Sequence, residues 1–362
     1  MRRAAGWVLP RPLHPGAWWL WALGMAAAAS RTTNPLLLAV LVAVAGFVVA
    51  SRRSDAPWAR AYLVFLRFGL ITVALRVVFF AVFGAPTGDH QLVALPQVTL
   101  PHWMVGVRLG GPVTVEGVLA AGYDGLRLAT MLVCVGAANS LASPVRLVRA
   151  LPGALYEAGV AVVVAFSLVP QSLVVVRRIR AARRLRGLPD RGLRALRGMA
   201  LPVLEEALER SVSLAASMDS RGYGRRAAAP RALRTATGAL TLGGLLGLCV
   251  GVYGLLDGTT PAVLGGPALA AGVALAVAGL VLGGRRVART RYRPDRWQPP
   301  ELVAVAAGVL VAACFAVAPA TGMHPPTAPL AWPPLPVLPV LGALVAAAPG
   351  VLTPPAPRTV LA

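Results

Sequence analysis

Of the arginines that stand directly before a glycine, two lie at the predicted end of a helix. Arg186 precedes Gly187, and Arg221 precedes Gly222. A guanidinium carries five N–H donors in a planar fork, which can hold carboxylates or carbonyl groups at fixed geometry. An arginine at a helix C-terminus also stabilises the helix dipole, so an ordinary structural role is the alternative for each of them.

Other groups capable of chemistry are sparse. The three cysteines are isolated within apolar stretches and are predicted to be core residues, because their spacing supports neither a disulfide framework nor a zinc site. They are Cys134, Cys249 and Cys314. A metal site at Asp89, His90 and His102 is an open alternative to ordinary loop residues, since all three share one loop. The sequence predicts neither a resident metal nor a cofactor.

The sequence contains no lysine, so all 35 basic residues are arginines. A Walker A loop, a Schiff-base lysine and the ATP lysine of kinases all require an ammonium group. The chain therefore has no ATP-binding P-loop of its own.

The composition is that of an integral membrane protein. Of 362 residues, 57% are hydrophobic and 13% are charged, and the mean hydropathy is +0.70. A membrane-spanning helix needs roughly 20 mostly apolar residues. Nine stretches approach that length: about 16–30, 34–50, 61–83, 117–138, 155–176, 236–256, 262–283, 301–319 and 332–349.

The distribution of arginines predicts the topology, because basic residues concentrate in cytoplasmic loops. If 155–176 crossed the membrane, the fifteen arginines of 177–234 would lie outside. We therefore expect 155–176 not to cross, although a re-entrant segment packed on the other spans is an alternative. Eight spans remain, with both termini in the cytoplasm.

The predicted fold is all-α, with three parts. Residues 1–138 form four N-terminal spans, 139–235 form a helical domain on the cytoplasmic side, and 236–362 form about four further spans. Within the middle part, one helix is expected to end at Gly187. A second is expected within Ala200–Gly224, opened by Pro202 and ended by Gly222.

The surroundings of the two arginines carry a family resemblance. Leu185-Arg186-Gly187 and Ser220-Arg221-Gly222 resemble the two Ala-Arg-Gly motifs of the T component of energy-coupling-factor (ECF) transporters, the family of the cobalt-transport permease of Q type. The flanking sequences are similar too: SLVPQSLVVVRRIRAARRLRG, LPVLEEALERSVSLAASMDSRGYGRR and, near the N-terminus, HPGAWWLW and TTNPLLLAV. The resemblance covers about residues 14–235, and Leu185 and Ser220 replace the usual first alanine.

The resemblance implies a function in transport without catalysis. In that family the T component links a substrate-binding membrane protein, the S component, to two cytoplasmic ABC-type ATPases. The implied ATPase-coupling residues are Arg186, Gly187, Arg221, Gly222, Arg183 and Ser220. The implied partners are these two ATPases, the S component and the lipid bilayer of the cell membrane, with no nucleic acid. The implied cargo is a vitamin or a transition-metal ion, which this chain does not specify because the S component selects it.

Two other functions are weaker alternatives. A standalone secondary transporter is expected to show repeated halves with broken helices, and the sequence shows no such repeat. A membrane-embedded enzyme needs acids, bases or metal ligands clustered at one depth, and the spans supply almost none.

Three further features of the spans are predicted. Arg76 and Asp124 fall at similar depth on neighbouring spans and are expected to form an ion pair, with Arg127 as the competing partner. Prolines in the final span suggest that it is partly non-helical. Ladders of small residues that permit close helix packing are expected in the C-terminal spans. These ladders are Gly243, Gly247 and Gly251, and Gly279 with Gly283.

Overall fold

The computed structural model describes residues 10–54, 61–84, 87–98, 109–150, 155–188, 192–222, 230–256, 261, 264–284, 295, 297–320, 322–327 and 331–357. The helices and strands, in chain order, are α1 (Pro15–Ser30), α2 (Pro35–Arg52), α3 (Ala61–Phe83), β1 (Gln91–Val98), β2 (Leu109–Thr114), α4 (Val115–Leu141), α5 (Pro144–Arg149), α6 (Tyr156–Leu185), α7 (Gly192–Ser220), α8 (Arg231–Leu256), α9 (Gly266–Gly284), α10 (Pro299–Val317), α11 (Val337–Val345) and α12 (Pro349–Leu352).

The chain divides into two compact units. Unit 1 comprises Met1–Leu147 and Asp295–Ala362, and unit 2 comprises Val148–Pro294. Unit 1 thus contains both ends of the chain, while α6 to α9 belong to unit 2. The three-part division predicted from the sequence rests on the side of the membrane that each part faces, which contacts within the chain do not measure. It stays a prediction.

The all-α membrane fold is confirmed. Within the described residues, seven helices are long and apolar enough to cross a membrane: α2, α3, α4, α6, α8, α9 and α10. The predicted spans 16–30 and 332–349 are shorter helices, since α1 has 16 residues, α11 has 9 and α12 has 4. Helix α6 has 30 residues, so its length permits crossing. Whether it crosses is not decided by length, and its cytoplasmic placement stays a prediction.

Unit 1 is built around a buried apolar core in which the end of the chain returns to its beginning. Trp21, Met25 and Leu41 are fully buried together with Phe315 of α10. Helices α1 and α10 touch backbone to backbone, because a Cβ on Gly24 would lie 2.1 Å from the carbonyl oxygen of Gly308. The indole Nε1 of Trp21 donates to the carbonyl oxygen of Ala346 at 3.0 Å, which ties α1 to the segment between α11 and α12.

Buried polar groups hold the turn between α1 and α2 against the C-terminal segment. Asn34 caps α2 by accepting from the N–H of Leu36 at 3.0 Å, and Pro35 is the first helical residue, as the sequence predicts for a new helix start. The side-chain amide of Asn34 donates to the carbonyl oxygens of Gly322 and Pro334, at 2.8 and 2.7 Å. These bonds make the C-terminal segment a structural part of unit 1.

A buried carboxylate joins the N-terminal segment to α10. Glu301, whose side chain is 1% exposed, accepts from Arg11 Nη2 at 2.8 Å, from the N–H of His14 at 3.2 Å and from the N–H of Gln298 at 3.1 Å. The His14 ring stacks on Trp297, with centroids 4.9 Å apart. Burial lowers the pKa of His14, and its Nδ1 accepts from the N–H of Gly16 at 3.1 Å.

The stretch between α3 and α4, interpreted from the sequence as one loop holding Asp89, His90 and His102, contains a β-hairpin. Strands β1 and β2 pair antiparallel, from Gln91 with Thr114 to Val98 with Leu109. Strand β2 continues directly into α4, and the Thr114 side chain accepts from the N–H of Gly117 at 3.4 Å. The sequence did not indicate the hairpin because Pro96 interrupts the apolar residues of β1, and β2 contains two glycines and a proline.

In unit 2, α8 and α9 pack closely through glycines. A Cβ on Gly247 would lie 2.8 Å from Gly272 Cα, and a Cβ on Gly251 would lie 2.4 Å from the Leu269 nitrogen. The predicted ladder is correct for these two residues and wrong for Gly243, where a Cβ would have room. Gly244 takes its place, since its Cβ would lie 2.5 Å from the Ala276 nitrogen. The contact line therefore follows spacings of three and four residues, as the helical period requires.

Candidate functional site

The first candidate arginine lies at the end of α6, which changes character along its length. Its first half is apolar, and six arginines lie between 177 and 186. The helix ends in a Schellman motif: the N–H of Gly187 donates to the Arg184 carbonyl and the N–H of Leu188 to the Arg183 carbonyl, both at 3.0 Å. Gly187 has a φ of +68°, so glycine is favoured there for its left-handed backbone.

The second candidate arginine lies at an end of the same kind. The N–H of Gly222 donates to the Asp219 carbonyl at 2.8 Å, and Gly222 has a φ of +77°. The Ser220 hydroxyl donates to the Ser217 carbonyl at 2.9 Å, within the last turn of α7. Both glycines therefore end their helices, as the sequence predicts.

Both arginines occupy the position between the last helical residue and the left-handed glycine, and both are exposed. Leu185, beside Arg186, is 90% exposed. A Cβ on Gly187 would meet nothing within 4 Å, so space does not require a glycine there. The chain thus presents two exposed arginines at helix ends, each followed by a glycine with a left-handed backbone.

Helix α7 begins earlier than the sequence suggests. It starts at Gly192 rather than at Ala200, and Pro202 lies inside it rather than at its opening. A proline has no N–H and cannot donate to the carbonyl four residues earlier, which here belongs to Gly198. Arg183 of α6 supplies the missing donor, because its Nη1 lies 3.0 Å from the Gly198 oxygen. This compensation could not be read from the local sequence.

Gly198 also makes room for this contact. A Cβ on residue 198 would lie 2.5 Å from Arg183 Nη1, where the guanidinium now sits. Arg183, included among the candidate residues as a neighbour of Arg186, therefore has a structural role in joining α6 to the start of α7.

Helices α6 and α7 run antiparallel and form a small cleft further along. The cleft is lined by residues 168–175 of α6 and 203–211 of α7, among them Gln171, Glu206 and Arg210. The sequence analysis did not identify it. The sequence signal for this cleft is the mixture of polar and apolar side chains at helical spacing on both helices.

The two motif arginines are not brought together. Arg186 lies beside the start of α7, and Arg221 lies just past its end. Helix α7 has 29 residues. At 1.5 Å per residue, about 40 Å of helix separates the two motifs. The arrangement offers two separate contact points joined by one helix, rather than one combined site.

The metal alternative gains no support within the described residues, where no group of three histidine, cysteine, aspartate or glutamate side chains could hold an ion. His102 lies outside them. His90 instead bonds to Glu116 of α4, with Nδ1 and Oε1 2.5 Å apart. This bond raises the pKa of His90. The three cysteines, which lie on α4, α8 and α10, are all free.

The predicted ion pair between two spans is confirmed. Arg76 Nη2 of α3 lies 3.2 Å from Asp124 Oδ2 of α4. Arg127, the competing partner, instead donates to the carbonyl oxygen of Ser30 at the end of α1. Arg76 and Arg127 thus each find an acceptor inside unit 1.

Comparison with known families gives one match. The sequence profile of the family CbiQ, described as cobalt transport protein, matches residues 9–230. The match includes both Arg-Gly motifs and ends just before α8. No curated protein matches the chain.

Proposed function

The chain belongs to the CbiQ family of cobalt transport proteins, an integral membrane family, and on this basis we propose that it is the energy-coupling subunit of an ABC-type importer. It transmits motion from two cytoplasmic ATPases to a membrane-embedded substrate-binding component. The cargo is a transition-metal ion or a vitamin. The chain itself performs no catalysis.

One observation carries this proposal. The two Arg-Gly motifs have the same glycine-terminated geometry, one at the end of α6 and one at the end of α7, and both arginines are exposed. Two equivalent contact points separated by the length of α7 suit two copies of a similar partner. A pair of ATPase subunits is such a partner.

The arginines supply the chemistry of docking. A guanidinium can donate to carboxylates or to the carbonyl groups at a helix C-terminus, and its planar fork fixes the direction of approach. The left-handed glycine behind each arginine stops the helix, so the side chain stands at the end of a rigid rod. The bond from Arg183 to Gly198 holds α6 to α7 near the first contact point, so displacement of Arg186 is passed on to α7.

The proposal includes a topology. Residues 139–235 lie on the cytoplasmic side, both termini are cytoplasmic, and α6 does not cross the membrane. The support is the positive-inside rule, since fifteen arginines follow the apolar part of α6. The absence of lysine fits the same scheme, because ATP is bound by the partner subunits.

Substitution of the motif arginines tests the proposal. A lost charge contact at a desolvated interface costs about 2 to 5 kcal/mol, so Arg186→Ala or Arg221→Ala should weaken ATPase binding about 30-fold or more. The double variant should lose ATP-driven uptake while expression and membrane insertion are unchanged. Co-purification of the tagged ATPases in detergent and uptake into proteoliposomes measure the two effects.

Arg177→Ala is the matched control, since Arg177 is an exposed arginine of α6 outside the motifs, and it should bind and transport normally. Retention of the ATPases together with normal uptake by the double variant would contradict the assignment of both residues.

A further inference from the structure

Arg67 is a charged residue on the outer face of a membrane span. One side of α3 packs against α4, and three contacts define it. A Cβ on Gly136 of α4 would lie 2.4 Å from Phe65, and a Cβ on Gly125 of α4 would lie 3.0 Å from Val73. A Cβ on Gly69 would lie 3.3 Å from Ala129 of α4. Arg67 is two residues from both Phe65 and Gly69. Two residues correspond to about 200° around a helix, so Arg67 lies on the side opposite α4.

The face around Arg67 is apolar, and no part of the chain that the structure describes covers it. Of the 23 residues of α3, only Gly69 is buried. Leu63 and Ile71, one turn before and one turn after Arg67, are more than half exposed, and Leu70 is 72% exposed. The arginine therefore stands in the middle of a continuous apolar surface.

The other arginines of the α3–α4 pair have partners inside unit 1, and Arg67 has none among the described residues. Arg76 pairs with Asp124, and Arg127 donates to the Ser30 carbonyl. Of the described carboxylates of unit 1, four already have basic partners: Asp124 with Arg76, Glu116 with His90, Asp295 with Arg146, and Glu301 with Arg11.

The fifth carboxylate is Asp89, which follows the far end of α3 at Phe83. Phe83 lies about 24 Å beyond Arg67 along the helix axis. No described carboxylate of unit 1 is therefore available to Arg67.

The depth of Arg67 within the span makes an unpaired charge there costly. It lies six residues after the first residue of the helix, or about 9 Å along the helix axis. A charged group at that depth pairs with an opposite charge or extends its long side chain to the lipid headgroups. An acidic side chain on another membrane protein satisfies the first requirement.

We propose that the outer face of α3 binds a transmembrane helix of the substrate-binding component, and that Arg67 forms an ion pair with a carboxylate of that helix. This inference rests on the proposed function, which requires a membrane-embedded partner. The partner helix carries one aspartate or glutamate amid small or apolar residues that pack against Leu63, Leu70 and Ile71.

Charge reversal tests the ion pair. The full chain is expressed with its ATPases and with a tagged substrate-binding component that the wild-type chain retains in detergent. Arg67→Leu should reduce the retained component about 30-fold, because it leaves the partner carboxylate buried and unpaired. Arg67→Glu should reduce it at least as much, and changing the partner carboxylate to arginine should restore binding to Arg67→Glu.

Arg53→Glu is the matched control, since Arg53 is an exposed arginine just past the end of α2, and it should retain the component fully. In all variants the ATPases should stay bound, because Arg186 and Arg221 are unchanged. If the Arg67 variants fail to insert, a photo-crosslinking residue at Leu70, with Arg67 intact, should label the tagged component.

Full retention of the substrate-binding component and normal uptake by Arg67→Leu would overturn the inference. Labelling of lipid alone from position 70 would overturn it as well. Failure of the wild-type chain to retain any substrate-binding component would remove the proposed function, and this inference with it.

Discussion

Helices α8 and α9 and the segment α10 to α12 both follow residue 230, where the family match ends, but they are held in different ways. Segment α10 to α12 lies in unit 1, and its Phe315 is buried in the same core as Trp21. Glu301 and the backbone acceptors of Asn34 add specific polar bonds between distant parts of the chain. Helices α8 and α9 lie in unit 2 and pack on each other through Gly244, Gly247 and Gly251.

A segment outside the family match can therefore be either required or dispensable for the stability of the matched region. Segment α10 to α12 completes the core of the matched region, so unit 1 is expected to need it for folding. The α8–α9 pair retains large exposed apolar side chains, including Leu242, Leu246 and Tyr253, which the bilayer covers. We expect this pair to be separable from the stability of unit 1.

The largest effect is expected where α1 meets α10. Gly24→Leu places a side chain where a Cβ alone would lie 2.1 Å from the Gly308 oxygen, and backbone atoms cannot move aside. The helices must separate, at a cost of more than about 3 kcal/mol, above the usual range for overpacking. The yield of folded protein in detergent should collapse.

Gly122→Leu is the control for this change, because a Cβ at that position meets nothing within 4 Å. A normal yield and melting temperature for Gly24→Leu would show that α10 is not an essential part of unit 1, and the contrast between the two C-terminal segments would fail.

An intermediate effect is expected at the buried carboxylate. Glu301→Gln keeps the size of the side chain but removes the charge opposite Arg11, from a site where Glu301 is 1% exposed. Breaking a buried pair costs about 3 kcal/mol or more. The midpoint of thermal unfolding should fall clearly.

Asp295→Asn makes the same chemical change in the Arg146 pair, where the aspartate is 47% exposed. That pair should contribute less than about 1 kcal/mol, because solvent screens it. Equal destabilisation by both variants would mean that burial does not distinguish the two pairs.

The smallest effect on unit 1 is expected from a change between α8 and α9. Gly251→Leu should force these helices apart, since a Cβ there would lie 2.4 Å from the Leu269 nitrogen. Gly243→Leu has room and should leave the pair intact. Crosslinking between cysteines placed on α8 and α9 should fall only for Gly251→Leu.

Unit 1 should unfold at an unchanged temperature in both glycine variants, as followed by tryptophan fluorescence. A lowered unfolding temperature for Gly251→Leu alone would show that the α8–α9 pair supports unit 1.

The sequence by itself determined the features that depend on local composition and on single residues. Long apolar runs require helices in a membrane, because lipid offers the backbone no hydrogen bonds. Gly187 and Gly222 were predicted to end α6 and α7, because a glycine after a run of helix-forming residues readily takes the left-handed conformation. The pairing of Arg76 with Asp124 followed from their similar depth, since a charge in a span needs a partner.

The tertiary structure decided what depends on residues distant in the chain. Pro202 was predicted to open α7, but it lies inside the helix because Arg183 donates to the carbonyl that a proline leaves without a donor. The choice of Gly244 over Gly243 depends on the direction from which α9 approaches α8. The return of α10 to α1 rests on the close contact of Gly24 with Gly308, residues that local pattern cannot connect. Local sequence restricts the conformation of each segment. Which distant segments come into contact depends on how their side chains pack together in the folded chain.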